Sequence, residues 1–420
     1  MSRHKVMGRP VSLEPMDPGS LPLASLRVLE LSQGVAGPFC AMVLGDLGAD
    51  VVKVERPGSG DLSRGWGPPF ASPTNSGYYL SVNRNKRSIA LDLKSPSGIE
   101  VIRKLVARSD ILVESFRPDT LDRLGLTDDV LQELRPGLIR ASVTGYGPDG
   151  PSRDDPSFDF VIQARAGLMS LTGKPGEPMR TPVAFFDLVA GLYGVIGVLL
   201  ELRSRENGGS PRRVDVNLLD TAMSLLGYWI TGYSLTHRTP EPTGSEHPLI
   251  VPYQLVATQD GFIALAVGTD LQFQRMCRVL RRDDLAQDPR YRTNDDRVSH
   301  RTELIATIEP IFRRVPTAEL VRDLSAGGVP CGPYQTIPEV LRDPQVRFNA
   351  VLAEMQAPGG KSVVVGGIPL GTDRRGPVVH RPAPALGEHT VDILRGLGYS
   401  PTQIEAMARD WGRAAEDPSA

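Results

Sequence analysis

Asp187 is the first residue whose setting suggests chemistry. It lies in Phe185-Phe186-Asp187-Leu188-Val189-Ala190-Gly191, an acid behind two aromatics at the start of a strongly apolar stretch. Two readings compete. As an N-cap, its carboxylate would accept from the free N–H groups of a first helical turn. As a nucleophile between apolar walls, it would be poorly hydrated and reactive, with helix-end N–H groups steadying charge nearby. A second acid, Asp159, sits in Pro156-Ser157-Phe158-Asp159-Phe160. It reads as a turn residue entering a helix, or as an auxiliary carboxylate. Charged residues gather in two further places. Glu55-Arg56-Pro57-Gly58-Ser59-Gly60-Asp61 reads as a solvated turn, yet it puts Arg56 at a strand's C-terminal edge, where α/β sheets collect anions. Asn83 to Ser88, judged by charge alone, reads as a surface turn.

Several familiar engines are missing. No G-x-x-x-x-G-K-[ST] loop occurs, since Lys174 is followed by Pro175 and Met355 stands where the second candidate needs Gly. There is no G-x-S-x-G elbow and no H-E-x-x-H pair. Gly58-Ser59-Gly60 lacks the third Gly of a dinucleotide fingerprint. With 47 Lys+Arg against 49 Asp+Glu the formal charge is −2, so no single-sign field exists for nucleic acid or anionic lipid. Cys40, Cys277 and Cys331 are far apart and odd in number, which argues against a disulfide framework or cysteine-rich zinc site and for packing roles. These features point to a cytoplasmic enzyme without metal.

The elements that must position these residues follow from apolar pattern. Val28–Leu31 is a short strand, Phe39–Leu47 a helix stopped by Gly48, and Val51–Val54 the next strand; this βαβ unit forces parallel pairing. Ser95-Pro96 caps a second helix through Leu105, and Ile111–Val113 and Leu138–Val143 add strands. The fold expected is α/β, a Rossmann-like open parallel sheet with a smaller α/β domain. Boundaries are placed at 1–25 (a mobile N-terminal extension without a targeting pattern), 26–225 (large domain), 235–335 (small domain) and 340–420 (return to the large domain). In the small domain, Gly261–Val267 reads as a strand, and Asp270–Leu280 and Thr302–Arg313 as helices. The most apolar run, Leu188–Leu200, is 13 residues, too short to cross a bilayer.

Blocks of the chain resemble one family in order. They are Val28–Leu31 through Ala36-Gly37-Pro38, Leu47–Glu55, Asn83–Ser88, Thr144-Gly145-Tyr146-Gly147, the stretches around Gln163 and Asp187, Val214-Asp215-Val216, and Pro384–Thr390. From about Leu26 onward the sequence is similar to the family III CoA-transferases, which include formyl-CoA and carnitine CoA-transferases and the α-methylacyl-CoA racemases. The resemblance implies Asp187 as nucleophile, passing through an aspartyl anhydride and an aspartyl-CoA thioester without ATP. It assigns coenzyme A to Val35, Ala36, Arg56, Leu91, Asp92, Leu93, Lys94, Ser115, Phe116, Arg117 and Arg123. The substrates would be an acyl-CoA and a small carboxylic acid, with no permanently bound cofactor, and the assembly an interlocked homodimer. Val35 stands where the formyl-CoA branch has glutamine, and His247–Gln254 replaces that branch's Gly-rich loop; both departures argue against oxalate or formyl-CoA substrates, and the replacement segment resembles the succinyl-CoA:glutarate-like branch. The alternatives are an acyl-CoA racemase and a non-catalytic CoA-binding protein; racemases of the fold carry His where this chain has Phe158, so one acid/base partner is missing, and Asp187 argues against mere binding. For a dicarboxylate acceptor, Arg180 in Pro178-Met179-Arg180-Thr181-Pro182 would grip the distal carboxylate, or it is a surface residue on a Pro-bounded loop.

Overall fold

Short β-branched runs covered on both faces build the centre of the molecule. The computed structural model describes residues 18–210, 213–370 and 379–416. Six strands, β1 (Arg27–Leu31), β2 (Asp50–Glu55), β3 (Lys86–Ala90), β4 (Ile111–Glu114), β5 (Ile139–Thr144) and β6 (Val214–Asn217), pair in the order β6-β5-β4-β1-β2-β3. Every pairing is parallel. The chain therefore winds outward from β1 to β3, then restarts at β4 on the other side of β1. The crevice at the carboxyl ends of β1 and β4 is the switch point where such sheets bind ligands.

Alternation along the strands feeds two cores. Leu29, Leu31, Val52, Val54 and Leu112 face α2 (Pro96–Val106) and the C-terminal helices. Val28, Val51, Ile111 and Val113 face α1 (Ala36–Asp46) and, further along the chain, α4 (Phe185–Glu206). Between them in sequence lies the short α3 (Asp159–Arg165), and α4 is followed by β6 and α5 (Leu218–Leu225). α2 starts as its sequence predicts: the Ser95 hydroxyl accepts from Gly98 N–H at 3.0 Å with Pro96 behind it. At the far end of the chain, α6 (Thr390–Gly396) and α7 (Pro401–Glu416) add Ile393, Leu394 and Trp411 to the first core, and Trp411 Nε1 donates to Ser95 Oγ at 3.0 Å.

The chain divides into two units. The first holds the described residues up to Ala166, Thr181–Ser234, and the stretch from Pro344 on. The second, Gly167–Arg180 with Leu235–Asp343, has a three-stranded antiparallel sheet of β7 (Tyr253–Ala257), β8 (Phe262–Ala266) and β9 (Cys331–Pro333). Its core includes Ile263, Leu265, Phe273, Met276, Ile308 and Phe312. The strand and two helices expected there form as Phe262–Ala266, Asp270–Val279 and Arg301–Phe312.

Four expectations need correction. The apolar run is part of a 22-residue helix, α4, long and apolar enough to span a bilayer by length and composition. One face of it is built into the core, because Val195, Val198 and Leu202 pack with α1 and the sheet. The stretch assigned to a mobile extension is packed at its end: Leu21 and Leu23 are buried and Leu23 N–H bonds Leu47 O, while residues 1–17 lie outside those described. Asn83–Ser88 is no surface turn. It enters β3, and Asn83, Arg84, Asn85, Lys86 and Ser88 are buried. Arg84 grips Asp46 through two nitrogens (3.0 and 2.5 Å), and Asn85 adds a third bond at 2.8 Å. The turn after β2 is likewise only partly solvated. Arg56 is exposed, but Glu55 and Asp61 are buried.

Buried charges form one network at the carboxyl ends of β1 and β2, joined by Lys86 from the start of β3. Lys53 Nζ lies 2.8 Å from Glu30 and 2.7 Å from Asp61, and Lys86 Nζ lies 2.8 Å from the other Glu30 oxygen. Arg64 donates to both Glu55 oxygens at 2.7 Å and to Tyr79 Oη at 2.6 Å. Acids and bases balance, and each charge has a partner, as burial demands. Burial pulls the Lys86 ammonium down to about 8 against the opposing pull of Glu30.

Candidate active site

The N–H groups at the start of α4 have no side-chain cap from their own chain neighbours, since the residue before the helix is Ala184. Another helix supplies one. Asp159, the first residue of α3 and buried, accepts from Phe186 N–H at 2.8 Å and Asp187 N–H at 3.4 Å through Oδ2. Its Oδ1 accepts from Gln163 Nε2 at 2.5 Å. Asp187 therefore is not the N-cap; it is the third helical residue, and the capping carboxylate is Asp159.

That arrangement leaves Asp187 unusual. No hydrogen bond reaches its carboxylate among the described residues, and only part of the side chain meets solvent. Crowding by protein, followed by the repulsion of Asp159, pushes its carboxyl up to about 7. Asp159, by contrast, accepts three N–H donors.

Packing then delivers this helix end to the switch point. A Cβ at Gly191, one turn beyond Asp187, would come within 2.7 Å of the Ala36 carbonyl, and one at Gly194 within 3.1 Å of Cys40 Sγ. The two glycines let α4 lie against the first turns of α1, which begins right after β1. Val35 and Ala36, buried at that start, are thus brought to the neighbourhood of Asp187.

A cleft follows the carboxyl ends of the strands. One cavity of about 170 Å³ is lined by Leu31, Gln33, Arg56, Leu93, Lys94 and Phe116, together with Leu91 and Asp92. A neighbouring one of about 420 Å³ shares Leu31, Gln33 and Phe116 and continues past Ser115 and Arg117 to Phe158, next to Asp159. The edge between them is held rigidly. Lys53 donates to Ser32 O (2.9 Å), Gln33 N–H to Ser115 Oγ (3.1 Å), and Gly34 N–H to Asp61 Oδ1 (3.0 Å). Gly34 has φ +81°, a conformation that favours glycine.

Most candidates read from sequence meet along this cleft: Arg56, Leu91, Asp92, Leu93, Lys94, Ser115, Phe116 and Arg117. Ser115 is engaged with the backbone. Arg123 is exposed, bonds Thr120 Oγ1 at 2.9 Å, and is not among the lining residues of either cavity. Arg180 is exposed and is the last residue of its segment in the second unit. Cys40 and Cys277 are buried, with burial pushing both thiols up to about 12, which suits packing. Sequence reasoning missed Gln163 as a ligand of Asp159 and Asp61 as an anchor of the β1 turn. The signal for Asp61 was Lys53, a charge inside an otherwise apolar strand.

Comparison with known proteins agrees along most of the chain. The model of CoA-transferase family III matches residues 23–390. The succinate–glutarate CoA-transferase of Agrobacterium fabrum is 38% identical over 90% of this chain and 96% of its own. The succinyl-CoA:glutarate CoA-transferase of Homo sapiens is 39% identical over 89% of this chain and 85% of its own. A crystal structure of a CAIB/BAIF family protein from Brucella suis superposes with a TM-score of 0.81 at 36% identity, covering 90% of this chain and 99% of that one.

The state of Asp187 predicts how stability varies with pH. Its folded carboxyl titrates near 7 against an ordinary 3.8, so between those values the native state holds a proton the unfolded chain has lost. Stability from this group falls as pH rises from about 4 to about 7 and stays lower above. Asp187→Asn should therefore unfold at a higher temperature than the wild type at pH 8, by about 2–4 kcal/mol equivalent, with the gap closing near pH 4. Equal shifts at both pH values would contradict the strained carboxyl.

Proposed function

The chain belongs to CoA-transferase family III, an enzyme family that moves coenzyme A between carboxylic acids, and we propose that Asp187 is its nucleophile. The observation that carries this reading is a carboxylate with no hydrogen bond among the described residues, held near 7 at a helix N-terminus beside the switch point. Such a group is anionic above neutrality and poorly solvated, which favours attack on a thioester. The first step forms a bond between an Asp187 carboxylate oxygen and the acyl carbon and breaks the C–S bond, giving a mixed anhydride and CoA thiolate. Thiolate then attacks the aspartyl carbonyl and releases the donor acid, leaving an aspartyl-CoA thioester. The acceptor carboxylate attacks that thioester, and the freed thiolate takes the acceptor acyl group, restoring Asp187. Each step exchanges one activated acyl bond for another, so no nucleotide is consumed.

In this reading coenzyme A lies along the cleft. Arg56, Lys94 and Arg117, with Arg123 beyond them, suit its phosphates and ribose. Leu91, Asp92, Leu93 and Phe116 form the walls, and Ser115 steadies the turn leading to Val35 and Ala36, where the acyl end would lie. Asp159 is the auxiliary carboxylate: it fixes the helix end and keeps Asp187 basic. Succinyl-CoA is the proposed donor and a glutarate-like dicarboxylate the acceptor, following the relatives' names. A racemase is disfavoured, because Phe158 offers no base; its ring stands edge-on to Trp66 with centroids 6.1 Å apart. We also propose the interlocked homodimer, supported by the exposed apolar residues Leu192, Ile196, Leu199 and Leu200 on α4. A monomer mass by light scattering at micromolar concentration would remove it.

The nucleophile is tested by turnover with succinyl-CoA in the presence of hydroxylamine. The peptide carrying Asp187 should gain a hydroxamate, and kcat/KM should fall on the acid side with an apparent pKa near 7. Continued turnover with Asp187 unmodified would refute the assignment. For the acceptor, Arg180→Ala should raise KM for glutarate by about tenfold or more while leaving a monocarboxylate of equal length little changed. Equal losses on both would assign Arg180 to the loop instead.

A further inference from the structure

We infer that Gln163 is a positioning residue for acyl transfer: its amide locks Asp159 onto the start of α4 and so fixes both the place and the charge environment of Asp187. The inference rests on reading Asp187 as the nucleophile. Gln163 is one turn beyond Asp159 on α3 and is 1% exposed. Its Oε1 accepts from Thr181 N–H at 2.9 Å, while Nε2 donates to Asp159 Oδ1 at 2.5 Å and reaches Val183 O at 3.5 Å. The orientation is forced, because Thr181 N–H can only donate and a carboxylate can only accept. One side chain thus ties α3 to the segment Thr181–Ala184 that leads into α4.

The consequence is an unequal pair of acids. Asp159 receives N–H donors from Gln163, Phe186 and Asp187, which engage both of its oxygens. Asp187 receives none among the described residues and feels the Asp159 charge. Other charges nearby are turned elsewhere. On α3, Arg165 bonds Ser152 and Asp155; on α5, Asp220 bonds Asn217; and α1 has no acid in its first turn and no base in its last. Neighbouring acids in such different hydrogen-bonding surroundings commonly take distinct roles. Without the amide, Asp159 loses its Oδ1 partner and can rotate off the helix end, moving Asp187 with it.

Two variants separate positioning from mere packing. Gln163→Leu removes donor and acceptor together. Gln163→Glu can keep both while one proton is shared: the protonated carboxyl donates to Asp159 and its carbonyl accepts from Thr181. Two carboxylates this close resist ionising together, so near pH 6.5 they share one proton and carry a single charge between them. The readout is the initial rate of hydroxamate formation on the Asp187 peptide with succinyl-CoA, followed from about pH 6 to pH 9, beside thermal unfolding. Gln163→Leu should acylate at least about tenfold more slowly at every pH, the scale expected for a misplaced reacting group. Gln163→Glu should stay within about threefold of wild type near pH 6.5 and lose activity on the alkaline side, as the shared proton leaves. Should Gln163→Leu fail to fold, the Gln163→Glu profile decides alone. Wild-type rate and midpoint in Gln163→Leu, or a Gln163→Glu variant with no alkaline loss or equally inactive at all pH values, would overturn the inference. A wild type that takes no label at Asp187 overturns the nucleophile as well, which distinguishes the two failures.

Discussion

A helix that begins without its own cap must find one elsewhere, and α4 finds the carboxylate of Asp159. That contact sets much of the site. It joins two helices that are separated in sequence by an excursion into the second unit, and it uses Asp159 on backbone N–H groups. Asp187, three residues into the helix, is left crowded, unbonded among the described residues, and next to a like charge. The glycines at 191 and 194 then bring this end of α4 against α1. A carboxyl raised by crowding and the open end of a parallel sheet are thereby brought together.

The sheet edge itself is held by charges rather than by apolar packing. Replacing a buried ion pair with hydrophobic residues is often neutral for stability, so the network of Glu30, Lys53, Asp61, Glu55, Arg64 and Lys86 is poorly explained as a source of stability. Its geometry explains it better. Lys53 and Asp61 between them grip Ser32 O and Gly34 N–H, the backbone of the turn that borders the cleft. Apolar substitutes would fill the space but release that turn. The same logic applies to Arg84 and Asp46, which pin the entry to β3 onto the end of α1.

Much of the fold was legible because burial on both faces demands apolar runs: β1, β2, β4 and β5 announce themselves, as does the Ser95 cap. β3 did not. Lys86, Arg87 and Ser88 read as surface polarity, since their partners Glu30, Asp50 and Glu55 lie on other strands and leave no local trace. Asp187 was legible as a residue of interest, but its local role was not, because the true cap stands 28 positions upstream. The stretch around Gln163 matched the family's pattern, but nothing in it gave Gln163 a role. A buried amide has no period or spacing, and its meaning appears only when Thr181 and Asp159 are brought to its two ends. Arg123 was matched by pattern alone; its guanidinium donates to Thr120, outside the lining of the two cavities.

The central claim, that Asp187 itself carries the acyl group, is tested most directly by isotope transfer. With an acceptor acid labelled with oxygen-18 in its reacting carboxylate, each turnover breaks the bond between acceptor carbonyl and bridging oxygen, so the bridging label stays on Asp187. Mass spectrometry of the peptide spanning α4's first turn should show oxygen-18 in the Asp187 carboxylate after a few turnovers. Complete conversion of acceptor to its CoA ester with Asp187 unlabelled would contradict the account.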